Sequence, residues 1–170
     1  MSYFWLINST TLLSVIVMSG CSVTAVVNNQ PHGHGRCDIN LIDNRINEGM
    51  VDFRGDLPTV IGYLHKPFRT TPNVDELIIN KICSDQALAK RKINFELERF
   101  YCDAKGGFSS AKGRVEIQLS YTLGNDSIIR SYLASTVKIP KDTPLINVCS
   151  IAIEKVMYEL NDTIKKDAKL

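Results

Sequence analysis

Histidine is scarce in this chain. His32, His34 and His65 are the three in 170 residues. No Cys-x-x-Cys occurs, and no pair of close carboxylates frames the histidines. His32-Gly33-His34 sits in a polar, turn-forming stretch that offers no fixed donor geometry, so no metal site is expected. Gly-x-Ser-x-Gly is absent, which removes the strand-turn-helix nucleophile of one large hydrolase class. A Ser-His-Asp or Cys-His site would have to recruit His65, the histidine within the folded part. Lys105-Gly106-Gly107-Phe108-Ser109-Ser110 has the residue types of a phosphate loop but neither the Walker spacing nor the following Lys-Ser/Thr, and it reads as a hairpin loop. No cofactor is expected. An excess of one charge is missing too. Twenty basic residues face eighteen acidic ones, a net +2, which excludes an extended nucleic-acid surface. The length supports one compact domain rather than two, and 44% apolar content is that of a globular chain.

Charge is also absent from the first twenty residues: every Lys, Arg, Asp and Glu lies beyond Cys21. Residues 12–18, Leu-Leu-Ser-Val-Ile-Val-Met, are almost unbrokenly apolar, and Ser19 and Gly20 follow. That is a signal-peptide pattern. The run is shorter than the roughly 20 residues a membrane-spanning helix requires. Met18-Ser19-Gly20-Cys21 resembles the lipobox of bacterial lipoproteins, although the segment before it has no Lys or Arg. The resemblance implies removal of residues 1–20 and acylation of Cys21 on sulfur and on the new amine. In that family Ser22, being other than Asp, implies sorting to the outer membrane. Several acyl chains on one Cys meet the condition for stable attachment without spanning. Residues 21–36 then form the lipidated Cys and a flexible tether, 37–165 one domain, and 166–170 a fraying tail.

Within the domain, residues 37–43 alternate as a half-buried strand. Residues 49–71 read as a long irregular segment with one short strand at 59–64. Asn73 is a helix N-cap with Asp75 and Glu76 in the first turn, and the apolar stripe runs from Val74 to Ala89 before Lys90-Arg91-Lys92. Three strands follow as a meander: 93–100, 115–121 and 127–139, with a loop at 104–113 and a turn at 124–126. Thr143-Pro144 opens a last amphipathic helix through Leu160. The expected fold is α+β, a mainly antiparallel sheet of about four strands with two helices on one face, in the order β-loop-α-β-β-β-α. A right-handed crossover makes the first two major strands parallel.

If Cys21 is lipidated, Cys37, Cys83, Cys102 and Cys149 remain, an even set that allows three pairings. An oxidising periplasm favours disulfides. Cys37 begins the first strand, and Cys83 lies late in the helix that returns to that end. Cys102 follows the second strand, and Cys149 sits one turn into the last helix at the same end. Topology therefore favours Cys37–Cys83 and Cys102–Cys149. The alternative is that Cys149 is simply a small buried apolar residue.

Arg45, between Asp43 and Asn44 at a strand end, either fixes the loop or presents its guanidinium to an anionic group. The apolar residues of the long segment, Phe53, Tyr63 and Phe68 among them, either pack over the sheet edge or form a partner-binding patch. Arg45, Phe53, Tyr63 and Phe68 are therefore the candidate partner-binding residues.

Lipobox, Asp-x-Arg after the first strand, helix, strand meander and closing helix together resemble small envelope lipoproteins of the YajG type. That resemblance implies an outer-membrane-tethered α+β domain and carries over no catalytic residue. The expected function is a non-enzymatic binding or accessory subunit in envelope assembly, transport or secretion, with the membrane and an envelope protein as partners. The alternatives are a periplasmic hydrolase using His65 and a soluble secreted binding domain without lipid. Asn125-Asp-Ser127 and Asn161-Asp-Thr163 match a glycosylation sequon, which matters only in a eukaryotic secretory route.

Overall fold

The computed structural model describes residues 24–27, 37–55 and 67–170. It is an α+β domain whose strands are β1 (Thr24–Val26), β2 (Ile39–Asp43), β3 (Met50–Gly55), β4 (Phe68–Thr71), β5 (Ile93–Gly106), β6 (Ser110–Leu123) and β7 (Ile129–Pro140). Its helices are α1 (Val74–Cys83) and α2 (Leu145–Asp167). The sheet has seven strands in the order β1-β4-β3-β5-β6-β7, with β2 also paired to β5. It is mixed: β5, β6 and β7 are antiparallel, while β2 and β3 both run parallel to β5.

Two expectations about the sheet are corrected. It holds more than four strands, and its β1–β4 side is not antiparallel throughout. The segment 49–71, expected to be irregular, supplies β3 and β4. Val51 and Phe53 point inward and Asp52 and Arg54 outward, a period of two that the surrounding glycines and prolines obscure. The strand expected at 59–64 lies outside the described residues. Thr24–Val26, in the segment read as tether, pairs in parallel with β4, and α2 continues through Asp167 into the segment read as a fraying tail.

β5 and β6 are longer than their alternation suggested and leave a hairpin loop of three residues, Gly107-Phe108-Ser109. Gly113, in the added part of β6, lies close beneath the start of α2. A Cβ on Gly113 would lie 2.6 Å from Val148 Cγ1 and 3.1 Å from the Val148 carbonyl oxygen. β5 carries a bulge where Glu98 and Arg99 together oppose Gln118. The extra residue shifts the side-chain parity. Ile93, Phe95 and Leu97 face the helices before it, and Phe100, Cys102 and Ala104 after it.

α1 begins with a capping box. Asn73 Oδ1 accepts from Glu76 N at 2.8 Å, and Asn73 N donates to Glu76 Oε2 at 3.2 Å. It ends six residues short of the expected Ala89, because Ser84 caps it and Asp85 Oδ1 accepts from the Ala87 and Leu88 amides in a new turn. Leu88 stays fully buried. α2 starts at Pro144 without a side-chain cap. Both helices bury their stripes in one core with Phe95, Ile117, Leu119 and Tyr121.

Two disulfides tie the layers: Cys37–Cys83 joins the approach to β2 to α1, and Cys102–Cys149 joins β5 to α2, with Cα–Cα separations of 5.7 and 5.9 Å. These are the pairs that chain topology favours. Their sequence separations are 46 and 47 residues, so each constrains the unfolded chain by about 3–4 kcal/mol. Cys102 and Cys149 are fully buried, whereas Cys37 and Cys83 are half-buried. Replacing both cysteines of a pair by Ala is expected to destabilise more at 102/149, where a cavity adds to the lost cross-link. Urea unfolding of the two double variants measures the difference, and titration with a thiol reductant is expected to open Cys37–Cys83 first.

Candidate functional site

Two polar arrangements stand out on this frame. The first is buried. β2 pairs with the first half of β5 and β3 with the second, so the β5 edge is without a strand partner around its bulge. Arg45 fills that gap. Its Nη1 donates to the Met50 carbonyl at 2.7 Å and to the Phe100 carbonyl at 3.3 Å. Its Nε and Nη2 donate to the two Asp43 carboxylate oxygens at 2.7 and 2.5 Å. Asp43 also accepts from the Gly49 amide at 2.9 Å. Both side chains are under 5% exposed. Burial on its own would raise the Asp43 carboxyl, but the Arg45 and Gly49 hydrogen bonds and the Arg45 charge outweigh it and hold the group below its ordinary value.

The second lies on the sheet face opposite the helices, which no element covers among the described residues. Its centre is Glu116 on β6, only 5% exposed. Tyr101 on β5 and Tyr132 on β7 flank it, and Arg114 Nη2 lies 2.8 Å from Glu116 Oε1. Burial would raise the Glu116 carboxyl. Hydrogen bonds from Tyr101 and Tyr132 and the charges of Arg114 and Arg99 outweigh it, so Glu116 sits below its ordinary 4.5. The same contacts raise both tyrosines: Tyr101 through burial and then its bond to Glu116, Tyr132 first through that bond. Arg54 and Arg99 stack over the Tyr101 ring, 4.9 and 5.8 Å from its centroid. Beside them a cavity of about 470 Å³ opens between Asn47, Asp52, Arg54, Glu98, Arg99 and Tyr101. The result is a tyrosine-arginine surface on long, paired strands.

Each candidate carries two readings, packing or partner contact. Arg45 is an internal staple, 7% exposed. Phe53 and Phe68 are 8% and 4% exposed and pack edge-to-face at 5.8 Å, so they cover the core at the sheet edge rather than forming a binding patch. Tyr63, Cys21 and His65 lie outside the described residues, as do His32 and His34. Cys37, Cys83, Cys102 and Cys149 are all in disulfides. Among the described residues no group of three or more His, Cys, Asp or Glu is placed to hold a metal ion, and no helix is long and apolar enough to cross a membrane. Tyr101, Glu116 and Tyr132 were missed. The sequence signal was the doublet Glu98-Arg99, which interrupts strict alternation and turns Tyr101 outward.

No protein-family model matches the chain, and no curated protein matches it in sequence. Solved structures similar to it include protein XCC0632 from Xanthomonas campestris, of family DUF330. That match has 15% identity and a TM-score of 0.48, and covers 88% of this chain and all of the other. Another, an uncharacterised protein, has 8% identity and a TM-score of 0.34 over 84% of this chain and 92% of its own.

Removing Arg45 leaves a buried carboxylate without its counter-charge and takes a donor from the Met50 and Phe100 carbonyls. Arg45→Ala is expected to cost about 3–5 kcal/mol in urea unfolding. Arg45→Lys restores little of it, because an ammonium cannot span the fork and both carbonyls.

Glu116 has a lowered carboxyl in the folded state, so its stabilisation is complete above about pH 4.5 and disappears as pH falls through the folded value. Asp43 and Asp85 act in the same direction below their ordinary 3.8, while Asp75, raised first by burial and then by the Asp43 charge, acts in the opposite one. Glu116→Gln isolates one contribution. The stability gap between it and the parent is expected to be widest at neutral pH and to close as pH falls through the lowered folded-state value in urea melts.

Proposed function

We propose that this protein is a lipid-anchored, non-enzymatic binding subunit of the bacterial outer membrane, facing the periplasm and serving an assembly, transport or secretion apparatus. The observation that carries the binding role is the open sheet face around Glu116. Tyrosine and arginine are among the residue types that dominate protein–protein hot spots. Here Tyr101 and Tyr132 are pre-oriented by a shared carboxylate, and Arg54, Arg99 and Arg114 stand around them. Pre-organisation lowers the ordering cost of association. The lipobox tetrad supports the anchor. The two disulfides fit an oxidising compartment. The partner is an envelope protein that meets this face with acidic and aromatic groups.

A photo-crosslinking amino acid in place of Tyr132, which is 53% exposed, is expected to give a discrete adduct with an envelope protein in cells. The same reagent in place of Tyr158, 63% exposed on α2, is expected to give none. Arg99→Ala with Tyr101→Ala is expected to abolish the adduct at 132. Equal labelling from both positions would show that the sheet face is not the binding surface.

A further inference from the structure

The hairpin between β5 and β6 carries an exposed aromatic over a row of lysines. Phe108 is 99% exposed. Its neighbours are Gly106, Gly107, Ser109 and Ser110, so nothing large stands beside it. The turn is closed, with Gly107 N donating to Ser110 O at 2.9 Å. A Cβ on Gly107 would fall 2.8 Å from that oxygen, so the position accepts only glycine without a shift. Phe108 is thus held out at the tip.

Directly behind the tip, Lys105, Lys112 and Lys138 lie side by side across three strands, since Lys105 pairs with Lys112 and Lys112 with Lys138. All three are exposed on the face opposite the helices. Lys141 follows at the same end, after Pro140 pairs with Ser110. Like charges directly opposite one another weaken a sheet. Two acids lie near: Asp103, 3.8 Å from Lys105, and exposed Asp142. The lysines outnumber them, and the row itself contains no acid.

Strand polarity says what this end meets. β1 is parallel to β4, β4 antiparallel to β3, and β3 parallel to β5. β1 therefore runs against β5 and enters at Thr24 from the hairpin side, with Thr24 level with Met50 and so several residues short of the hairpin itself. Three residues of chain reach at most about 10 Å, and that is all that separates Cys21 from Thr24.

We propose that the Phe108 hairpin is a membrane-docking tip, inserting Phe108 among the acyl chains of an anionic phospholipid surface while Lys105, Lys112, Lys138 and Lys141 hold its headgroups. The inference rests on the lipid-anchor reading for its orientation. An aromatic side chain with a basic collar is the combination that binds such an interface. Tip and anchor act together as two contacts on one bilayer, which restricts how the domain stands.

The test uses the full chain with Trp5→Phe and Phe108→Trp, purified from membranes and reconstituted into phosphatidylcholine vesicles with or without phosphatidylglycerol. Acyl-brominated lipid is the quencher. On phosphatidylglycerol vesicles the position-108 indole is expected to shift blue and be quenched. Both effects are expected to vanish in the added Lys105→Glu/Lys112→Glu/Lys138→Glu variant and to weaken at high salt. Solvent-like, unquenched emission on both lipids would overturn the proposal. A second measurement is independent of the triple variant's folding. Flotation of the chain from Ser22 onward, which lacks both Cys21 and the apolar run of residues 12–18, with phosphatidylglycerol vesicles is expected to fall at least about tenfold with Phe108→Ser, a change at an exposed tip. Flotation unchanged by Phe108→Ser would also overturn it. Palmitate labelling of the parent chain, with Cys21→Ala as control, reports on the anchor separately. Absent labelling with intact Phe108-dependent flotation would refute the anchor and leave the docking tip standing.

Discussion

Two strands share one edge of β5, and a single guanidinium closes the space between them. β2 and β3 cannot form one continuous strand, because the bulge at Glu98-Arg99 changes the direction in which β5 presents its hydrogen-bonding groups. The chain leaves β2 at Asp43, turns through residues 44–49 and re-enters beside the second half of β5. Backbone groups in that gap need partners when buried. Arg45 supplies them to Met50 and Phe100 while Asp43 neutralises it. β3 sets the place of β4, and β4 that of β1, so the whole β1–β4 side of the sheet is indexed to this pair.

The bulge also divides labour between the two faces. The inward face stays apolar along all of β5 because the frame shifts where the sequence does. The outward face after the bulge receives Arg99, Tyr101 and Asp103 in place of a plain solvated row. Glu116 reaches these from the middle of β6, and Tyr132 from β7. A carboxylate on a sheet surface would ordinarily be wet and mobile. Here its neighbours exclude water, and it orients two phenols in return. The surface is therefore held by hydrogen bonds within the sheet rather than by a mobile loop.

Much of the fold was legible in the residues. Strict alternation in β6, the Asn73 cap and the α2 stripe identified their elements, and element order alone made β2 and β5 parallel. The cysteine pairing followed from strand direction and helix return. What escaped was short or interrupted. β4 has four residues, too few for period two to rise above chance. α1 stops where Ser84 and Asp85 offer the backbone better local bonds than another helical turn, although the apolar spacing continues to Leu88. The candidate site was hidden for a related reason. Glu116, Tyr101 and Tyr132 are scattered in sequence, and only the register of three strands, corrected by one extra residue, brings them together.

The buried bridge between Cys102 and Cys149 carries a consequence for that register. Cys102 follows the bulge, so it faces α2 only when the extra residue is accommodated where it is. A β5 paired one residue out of step would turn Cys102 to the open face, out of reach of Cys149. Oxidation at this position therefore discriminates among strand alignments. The covalent bond forms in the chain whose tyrosines and Glu116 already share a face, and a misaligned chain is marked by two free thiols.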